Sequence, residues 1–303
     1  MKKSGKIPGY GIITAMLTPL HPDETVDIPA VRRLIERMSE AGIHGIFTMA
    51  TSGECARLAP EQQDLLIQTA AEADRRESLL YIGVSACGTA QAIRNIRRAE
   101  QAGADVLVST LPYYYHALTV EEQISYYQAL ADSTELPILM YNIPGNVGCR
   151  IELETVQFLR KVDNIVGIKD SSGDMVYFDQ LMSLQSVDYR VLSGVEFHVA
   201  RALRAGASGV VPSLSNIYPY TYMELWKAAQ QGDFDRVDQI QQKLDRINSI
   251  HKRHQGRLSV MACRKILLAY EGLGEDCMTH PHAPVPAALK EELIAAAAQL
   301  KLR

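Results

Sequence analysis

The sequence N-I-V-G-I-K-D, from Asn164 to Asp170, is a short apolar run that ends in a lysine and an aspartate. A run this short and this apolar is typical of a strand buried on both faces of a parallel sheet. Amphipathic stretches at Leu153–Lys161 and Met175–Leu184 predict a helix on either side of it. Strand and helix therefore alternate here, which is the pattern of right-handed β-α-β units.

The same alternation runs from the N-terminus to about residue 231. Each predicted strand is followed by a predicted helix, and three of these helices end in Ala-Gly, a common helix terminator. The predicted strands are Gly11–Met16, Ile43–Met49, Leu79–Val84, Val106–Ser109, Pro137–Tyr141, Ile165–Lys169, Tyr189–Leu192 and Gly209–Val211. Eight units favour an α/β fold of the closed (β/α)8 type, the TIM barrel. An open doubly wound sheet stays possible, because periodicity does not reveal closure.

Beyond residue 231 the alternation stops. The pattern predicts three helices with no strand between them, at Asp233–Arg253, Leu258–Tyr270 and Pro286–Leu300. No polar linker separates these helices from the preceding units. We therefore expect residues 1–231 to form a catalytic barrel and residues 232–303 to form a C-terminal three-helix extension packed on it.

Composition excludes several classes of function. The 303 residues include 31 Lys and Arg against 35 Asp and Glu. The chain therefore lacks the excess of basic residues that would indicate nucleic acid or an anionic membrane as a partner. Charges, Gly or Pro interrupt every apolar run before it reaches membrane-spanning length, and the N-terminus lacks the apolar core of a signal peptide. The five cysteines form no CxxC pair, which favours reduced thiols. We expect a cytoplasmic protein that acts on a small molecule.

Residues that follow the predicted strands are the first candidates for chemistry, because active sites of such barrels lie at the C-terminal strand ends. Strand two is followed by A-T-S-G-E, where the hydroxyls of Thr51 and Ser52 and nearby backbone N–H groups can bind a carboxylate. An ordinary polar loop that turns at Gly53 is the alternative. Strand four is followed by a run of three tyrosines that includes Tyr114, and strand five ends in Tyr141. Each phenol can act as an acid or base, or can serve aromatic packing alone.

Lys169 is the clearest candidate, because it is the single lysine at the end of an otherwise apolar strand. Removal of water from an ammonium group lowers its pKa and yields a neutral amine. Such an amine can attack a carbonyl carbon and form a Schiff base. The alternative is a lysine that has simply reached solvent.

No metal or cofactor site is predicted. The pairs His280 with His282 and His251 with His254 have spacings that can bind a metal, but they lie in the extension with no implied carboxylate partner. No glycine-rich loop for a nucleotide follows a strand and opens a helix.

Five segments together carry a family resemblance. They are A-T-S-G-E at Ala50, L-P-Y-Y at Leu111, Y-N-I-P at Tyr141, G-I-K-D at Gly167 and L-S-G at Leu192. In this order and spacing the chain resembles the dihydrodipicolinate synthase and N-acetylneuraminate lyase family of Schiff-base aldolases. The resemblance implies a TIM barrel with a three-helix C-terminal extension, a homotetramer, a 2-oxo acid substrate and no cofactor.

The resemblance also implies roles for individual residues. Lys169 would attack the ketone carbon of pyruvate or of a pyruvate-containing adduct, and Tyr141 would be the acid/base. Thr51 and Ser52 would hold the substrate carboxylate, and Tyr114 would reach a neighbouring subunit's site. Further residues implied to line the pocket are Gly194 and, through its carbonyl, Val211.

Departures from the family pattern bear on the substrate. The synthases carry an arginine after Y-N-x-P that grips a second carboxylate, and here Asn146 takes that place. An amide cannot supply the charged bidentate contact of an arginine, so we expect synthase activity in the lysine pathway to be weak or absent. We expect Ser171, Glu196 and Ser213 to contact hydroxyl groups of a smaller sugar acid.

The sequence therefore predicts a lyase that cleaves a 2-keto-3-deoxy sugar acid or a 4-hydroxy-2-oxo acid to pyruvate and an aldehyde. Two alternatives use the same imine: a dihydrodipicolinate synthase-like condensation and a sugar-acid dehydratase. A third is a non-catalytic barrel that binds pyruvate.

Overall fold

The computed structural model describes residues 8–115, 118–253 and 259–303. The chain divides into two compact units, each built from two separate stretches of sequence. The first contains the described residues up to Ile13 together with those of Leu79–Val211. The second contains Thr14–Ser78 together with the described residues of Pro212–Arg303. The boundary expected at residue 231 stays a prediction.

Eight strands form a closed parallel barrel in which neighbours in space follow chain order. The strands are β1 (Gly11–Ala15), β2 (Gly45–Thr48), β3 (Leu79–Gly83), β4 (Val106–Thr110), β5 (Ile138–Asn142), β6 (Ile165–Asp170), β7 (Arg190–Ser193) and β8 (Gly209–Val210). The barrel predicted from the alternation is confirmed, and the open-sheet alternative is wrong. The first and last strands pair directly, with Gly11 opposite Gly209.

The strands alternate with helices as predicted, with boundaries shifted by one or two residues. The helices are α1 (Ile28–Glu40), α2 (Pro60–Glu72), α3 (Thr89–Gln101), α4 (Val120–Ala131), α5 (Pro144–Val147), α6 (Leu153–Leu159), α7 (Met175–Met182), α8 (Val199–Arg204), α9 (Pro219–Gln230), α10 (Phe234–Arg253), α11 (Val260–Tyr270) and α12 (Ala287–Leu300). Four short elements were not predicted: α5 and the 3₁₀ helices Thr51–Gly53, Glu196–His198 and Leu214–Asn216. Elements of one turn are too short for a hydrophobic period to identify.

Local sequence explains where the helices begin and end. Helix α4 begins in a capping box, because the Thr119 side chain accepts from the Glu122 backbone and the Glu122 carboxylate accepts from the Thr119 N–H. The predicted Ala-Gly terminators are confirmed: Gly42, Gly103 and Gly206 all have φ between +82° and +85°. These backbone angles suit glycine, which has no Cβ to clash.

The C-terminal helices α10, α11 and α12 belong to the second unit. Helix α10 packs against α9 and α12, and α11 packs against α12. In α11 every residue from Ala262 to Leu268 is buried, including the adjacent cations Arg264 and Lys265. Within the described ranges, no helix combines the length and the apolar character that crossing a bilayer requires.

Candidate active site

The ends of β5 and β6 bring Lys169 and Tyr141 together. The two residues are register partners in the parallel ladder, and both are buried. The Lys169 side-chain nitrogen lies 3.8 Å from the centre of the Tyr141 ring, within the range of a cation–π contact. Only 4% of the Lys169 surface is exposed. The structure thus places the predicted amine and the predicted phenol side by side.

The next residue on each strand forms a separate buried network. Successive residues of a strand face opposite sides of the sheet, so Asp170 points away from the side that Lys169 occupies. The Asn142 amide donates to Asp170 Oδ1 at 2.7 Å and accepts from the Ile151 N–H at 3.0 Å. The Ser172 hydroxyl donates to Asp170 Oδ2 at 2.9 Å. These bonds fix the ends of β5 and β6, and with them the positions of Lys169 and Tyr141.

The carboxyl group of Asp170 has a shifted pKa. Burial raises the pKa of its carboxyl above the ordinary value, and the hydrogen bonds from Asn142 and Ser172 oppose the rise. Asp170 belongs to the G-I-K-D segment, and no role was predicted for it. An acidic residue at the end of an apolar strand was the available signal.

Gly194, after β7, leaves room for the lysine side chain. A Cβ at this position would lie 2.6 Å from Lys169 Cε and 2.1 Å from the Ser171 hydroxyl, closer than atoms approach in folded proteins. The Gly194 N–H donates to the Asp170 carbonyl at 2.7 Å, which holds the two chain segments together. Only glycine fits here without displacing its neighbours.

Ser171 lies beside this group. Its N–H donates to the Asn142 carbonyl at 2.8 Å. Its hydroxyl oxygen is buried and makes no hydrogen bond to any residue that the structure describes. A buried hydroxyl of this kind can bind a polar ligand atom at little cost.

The structure places the other predicted residues of the first unit as follows. Val211 is buried, and its N–H donates to the Ser193 carbonyl at 2.8 Å. Glu196 is half-buried in the 3₁₀ helix after β7, and Asn146 is exposed in α5. Tyr114 is 75% exposed, with a φ of +86°.

The loop after β2, in the second unit, contains Thr51 and Ser52. Both are half-buried in the 3₁₀ helix Thr51–Gly53. The Thr18 hydroxyl donates to the Gly53 carbonyl at 2.7 Å, and a Cβ at Gly53 would lie 2.8 Å from the Met16 carbonyl oxygen. The loop therefore packs directly on the chain that follows β1.

Ser213 completes the predicted set, and Glu54 is a residue of the second unit for which no role was predicted. Ser213, after β8, is buried and accepts a hydrogen bond from Arg264 Nε at 3.3 Å. Glu54 ends the A-T-S-G-E loop and forms a buried ion pair with Lys265. No role was predicted for Arg264 or Lys265, two adjacent cations whose burial in α11 only the structure reveals.

The described residues contain no group of three or more His, Cys, Asp or Glu side chains that could hold a metal ion. His280 instead pairs with the Glu24 carboxylate at the surface. His254 lies outside the described residues.

Comparison with known proteins identifies the family. The sequence model of the dihydrodipicolinate synthetase family matches residues 9–300, nearly the whole chain. The chain belongs to the dihydrodipicolinate synthetase family. It is therefore an enzyme of the Schiff-base-forming carbon–carbon lyase type. The resemblance given by the five segments is confirmed.

Relatives in this family bear the name 4-hydroxy-tetrahydrodipicolinate synthase. The protein from Stenotrophomonas maltophilia (strain K279a) is 34% identical over 267 residues, which cover 88% of each chain. The protein from Syntrophus aciditrophicus (strain SB) is 36% identical over 234 residues, which cover 77% of this chain and 80% of the relative.

Solved structures of the family superpose over almost the whole chain. The 4-hydroxy-tetrahydrodipicolinate synthase of Methylacidiphilum fumariolicum SolV has a TM-score of 0.88 and 31% identity, with 96% of each chain covered. A prophage protein of the dihydrodipicolinic acid synthase family from E. coli K12, solved in complex with pyruvate, has a TM-score of 0.90 and 26% identity, with 98% of this chain and all of that chain covered.

Proposed function

We propose that the chain forms an imine between Lys169 and pyruvate and joins the resulting enamine to an aldehyde. The observation that carries the proposal is the buried amine of Lys169 at the end of β6, 3.8 Å from the Tyr141 ring centre. The names of the relatives favour condensation, which the sequence analysis raised as an alternative, over the cleavage that it put first.

The reaction requires only an amine, an acid/base and a carboxylate site. The Lys169 nitrogen attacks the ketone carbon of pyruvate, and the carbonyl oxygen leaves as water after protonation. The protonated imine withdraws electrons from the neighbouring methyl group, which loses a proton to give an enamine. The enamine carbon then attacks the aldehyde carbon, and the aldehyde oxygen takes up a proton. Hydrolysis of the new imine releases the product and regenerates the lysine.

The residues around the imine take the remaining roles. Tyr141 transfers the protons during loss of water and carbon–carbon bond formation, as its place beside Lys169 allows. Thr51 and Ser52 hold the pyruvate carboxylate, and Gly194 and the Val211 carbonyl line the pyruvate pocket. Ser171 supplies a buried hydroxyl to the bound acid.

Cleavage of a 2-keto-3-deoxy sugar acid or 4-hydroxy-2-oxo acid is the second candidate. It is the reverse of the same carbon–carbon bond formation. The observation that favours it is Asn146, a neutral and exposed residue where the synthases have a carboxylate-binding arginine. In this candidate reaction Glu196 and Ser213 contact hydroxyl groups of the substrate.

Exchange of the pyruvate methyl protons in heavy water tests the imine directly, without knowledge of the aldehyde. We expect the enzyme to replace these protons with deuterium, because enamine formation is reversible. The loss of the methyl signal in the proton NMR spectrum measures the exchange. Lys169→Ala should abolish the exchange, and Lys161→Ala, at a helix end, is the matched control. Exchange at the wild-type rate in Lys169→Ala would contradict the mechanism.

Product analysis then separates the candidate reactions. A panel of aldehydes with pyruvate reports condensation, and a panel of sugar acids reports cleavage through stoichiometric pyruvate release. A dehydratase would consume the sugar acid without releasing pyruvate. Binding of pyruvate with neither exchange nor turnover would favour the non-catalytic alternative.

We also propose that the enzyme is a homotetramer, in which Tyr114 reaches a neighbouring subunit. The exposed tyrosines Tyr114 and Tyr115, whose rings lie 5.1 Å apart edge to face, support a contact at this loop. Sedimentation velocity should show a tetramer. A monomer with full activity would contradict the proposal.

A further inference from the structure

Helix α11 buries two adjacent cations, and each contacts a loop that follows a barrel strand. A buried charge is costly unless it is paired and hydrogen-bonded. Lys265, with no exposed surface, pairs with Glu54 in the loop after β2. Arg264 donates to Ser213 in the loop after β8 and to the Asn248 side chain of α10. The C-terminal helices are thus tied to two loops at strand ends.

The Lys265–Glu54 pair is part of a larger network. The Lys265 nitrogen lies 2.6 Å from Glu54 Oε1 and donates to the Cys277 carbonyl at 2.6 Å. Glu54 Oε2 accepts from both the N–H and the hydroxyl of Thr279, at 2.9 and 2.6 Å. The Glu54 side chain is only 2% exposed. One carboxylate therefore gathers a cation and two donors, all from the C-terminal part of the chain.

Glu54 also has a backbone conformation that needs support. Its φ of +58° lies in the left-handed region, which is unfavourable for a residue with a side chain. It follows directly on the turn Thr51–Gly53, and its N–H donates to the Thr51 carbonyl at 3.1 Å. Thr18 holds the other side of this turn through the Gly53 carbonyl. Anchoring the Glu54 side chain therefore fixes the turn that carries Thr51 and Ser52.

We propose that Glu54, Lys265 and Thr279 are positioning residues, which hold the Thr51–Ser52 turn in the conformation that binds the carboxylate of pyruvate. The C-terminal helices thereby act on substrate affinity. This inference rests on the proposed function, because it requires that Thr51 and Ser52 bind pyruvate. The three residues touch no substrate and act through the turn alone.

Thr279 offers the mildest test, because Thr279→Val keeps the shape and the backbone N–H and removes only the hydroxyl bond to Glu54. We expect the pyruvate concentration for half-maximal methyl-proton exchange to rise on the order of tenfold, the effect of one hydrogen bond to a charged group. The exchange rate at saturating pyruvate should stay within about twofold of wild type. Thr279→Ser, which restores the hydroxyl, should return the half-saturating concentration to the wild-type value.

A second set of variants separates positioning from general stability. Lys265→Met leaves Glu54 buried without its cation, and adding Glu54→Gln removes that unpaired charge. We expect the double variant to recover much of the unfolding midpoint lost by Lys265→Met, while its half-saturating pyruvate concentration stays raised. Lys290→Met is the matched control, because it removes the half-exposed pair with Asp276 in the same part of the chain.

The outcomes distinguish this inference from the function beneath it. If the wild type does not exchange the methyl protons of pyruvate, the proposed function fails. If the wild type exchanges them and Thr279→Val has the wild-type half-saturating concentration, only the positioning role is overturned. The same holds if stability and pyruvate affinity recover together in the double variant.

Discussion

Two buried lysines, Lys169 at the end of β6 and Lys265 in α11, differ in the groups that surround their side-chain nitrogens. The Lys265 nitrogen lies 2.6 Å from the Glu54 carboxylate and also donates to the Cys277 carbonyl. The Lys169 nitrogen lies over the Tyr141 ring, and Gly194 leaves space beside its Cε. An ion pair anchors Lys265, and the Tyr141 ring and Gly194 lie beside Lys169. Burial alone therefore does not mark a reactive lysine.

The largest expected difference is in chemistry. Lys169→Met should slow methyl-proton exchange by about 10⁴-fold or more, because it removes the amine on which the imine forms. Its unfolding midpoint in urea should stay at or above the wild-type value, since active-site residues are often kept at a cost to stability. Exchange that persists in Lys169→Met would show that another amine does the chemistry.

The reverse pattern is expected for the second lysine. Lys265→Met should lower the free energy of unfolding by about 3–5 kcal/mol, because it leaves the Glu54 charge buried and unpaired. Urea denaturation measures the loss, and the Lys290→Met variant provides the baseline for a partly exposed pair. A loss below about 1 kcal/mol, the usual value for a surface pair, would contradict the anchoring role.

Gly194→Ala tests the space around Lys169. The new methyl group would meet Lys169 Cε at 2.6 Å and must displace it. A displacement of this size should slow methyl-proton exchange by about 10- to 100-fold, because the amine no longer meets the ketone carbon correctly. Gly88→Ala is the control, since a Cβ there meets no atom within 4 Å. Equal rates in the two variants would show that the space beside Lys169 is unimportant.

The smallest effect concerns the pH dependence of stability at Asp170. Burial raises the pKa of Asp170 in the folded chain above its ordinary value, so the folded state holds this proton more tightly than the unfolded chain does. The stability that this bound proton contributes is therefore fully present below the pKa that Asp170 has in the unfolded chain. It is lost as the pH rises through the pKa that Asp170 has in the folded chain. Asp170→Asn has no such proton.

Urea denaturation at several pH values measures this difference. Relative to wild type, Asp170→Asn should become steadily more stable as the pH rises from about 3.8 through the folded pKa, and the difference should then level off. A constant difference, or a drift in the opposite direction, would show that the pKa of Asp170 is not raised.

The fold was predictable because it rests on local patterns. Short apolar strands, amphipathic helices and Ala-Gly terminators recur along the chain, and eight repeats of them account for the barrel. Lys169 could be found for the same reason, since it is a single charge at the end of an apolar strand. Tyr141 followed from its position at the end of the neighbouring strand.

The supporting residues could not be found in this way. Glu54 and Thr279 are 225 positions apart, and their contact depends on how the C-terminal helices return to the loop after β2. Arg264 and Lys265 resemble ordinary helix charges until the burial of α11 is known. The substrate also could not be read from a local pattern, and the effect of Asn146 on the choice of the second reactant stays a prediction.

Borohydride reduction in the presence of pyruvate, followed by peptide mass mapping, tests the central claim most directly. Reduction converts an imine into a stable secondary amine and so records which lysine formed it. We predict one adduct, on Lys169, and an unmodified Lys265 in the same sample. An adduct on any other lysine, or no adduct at saturating pyruvate, would contradict the assignment of Lys169 as the Schiff-base residue.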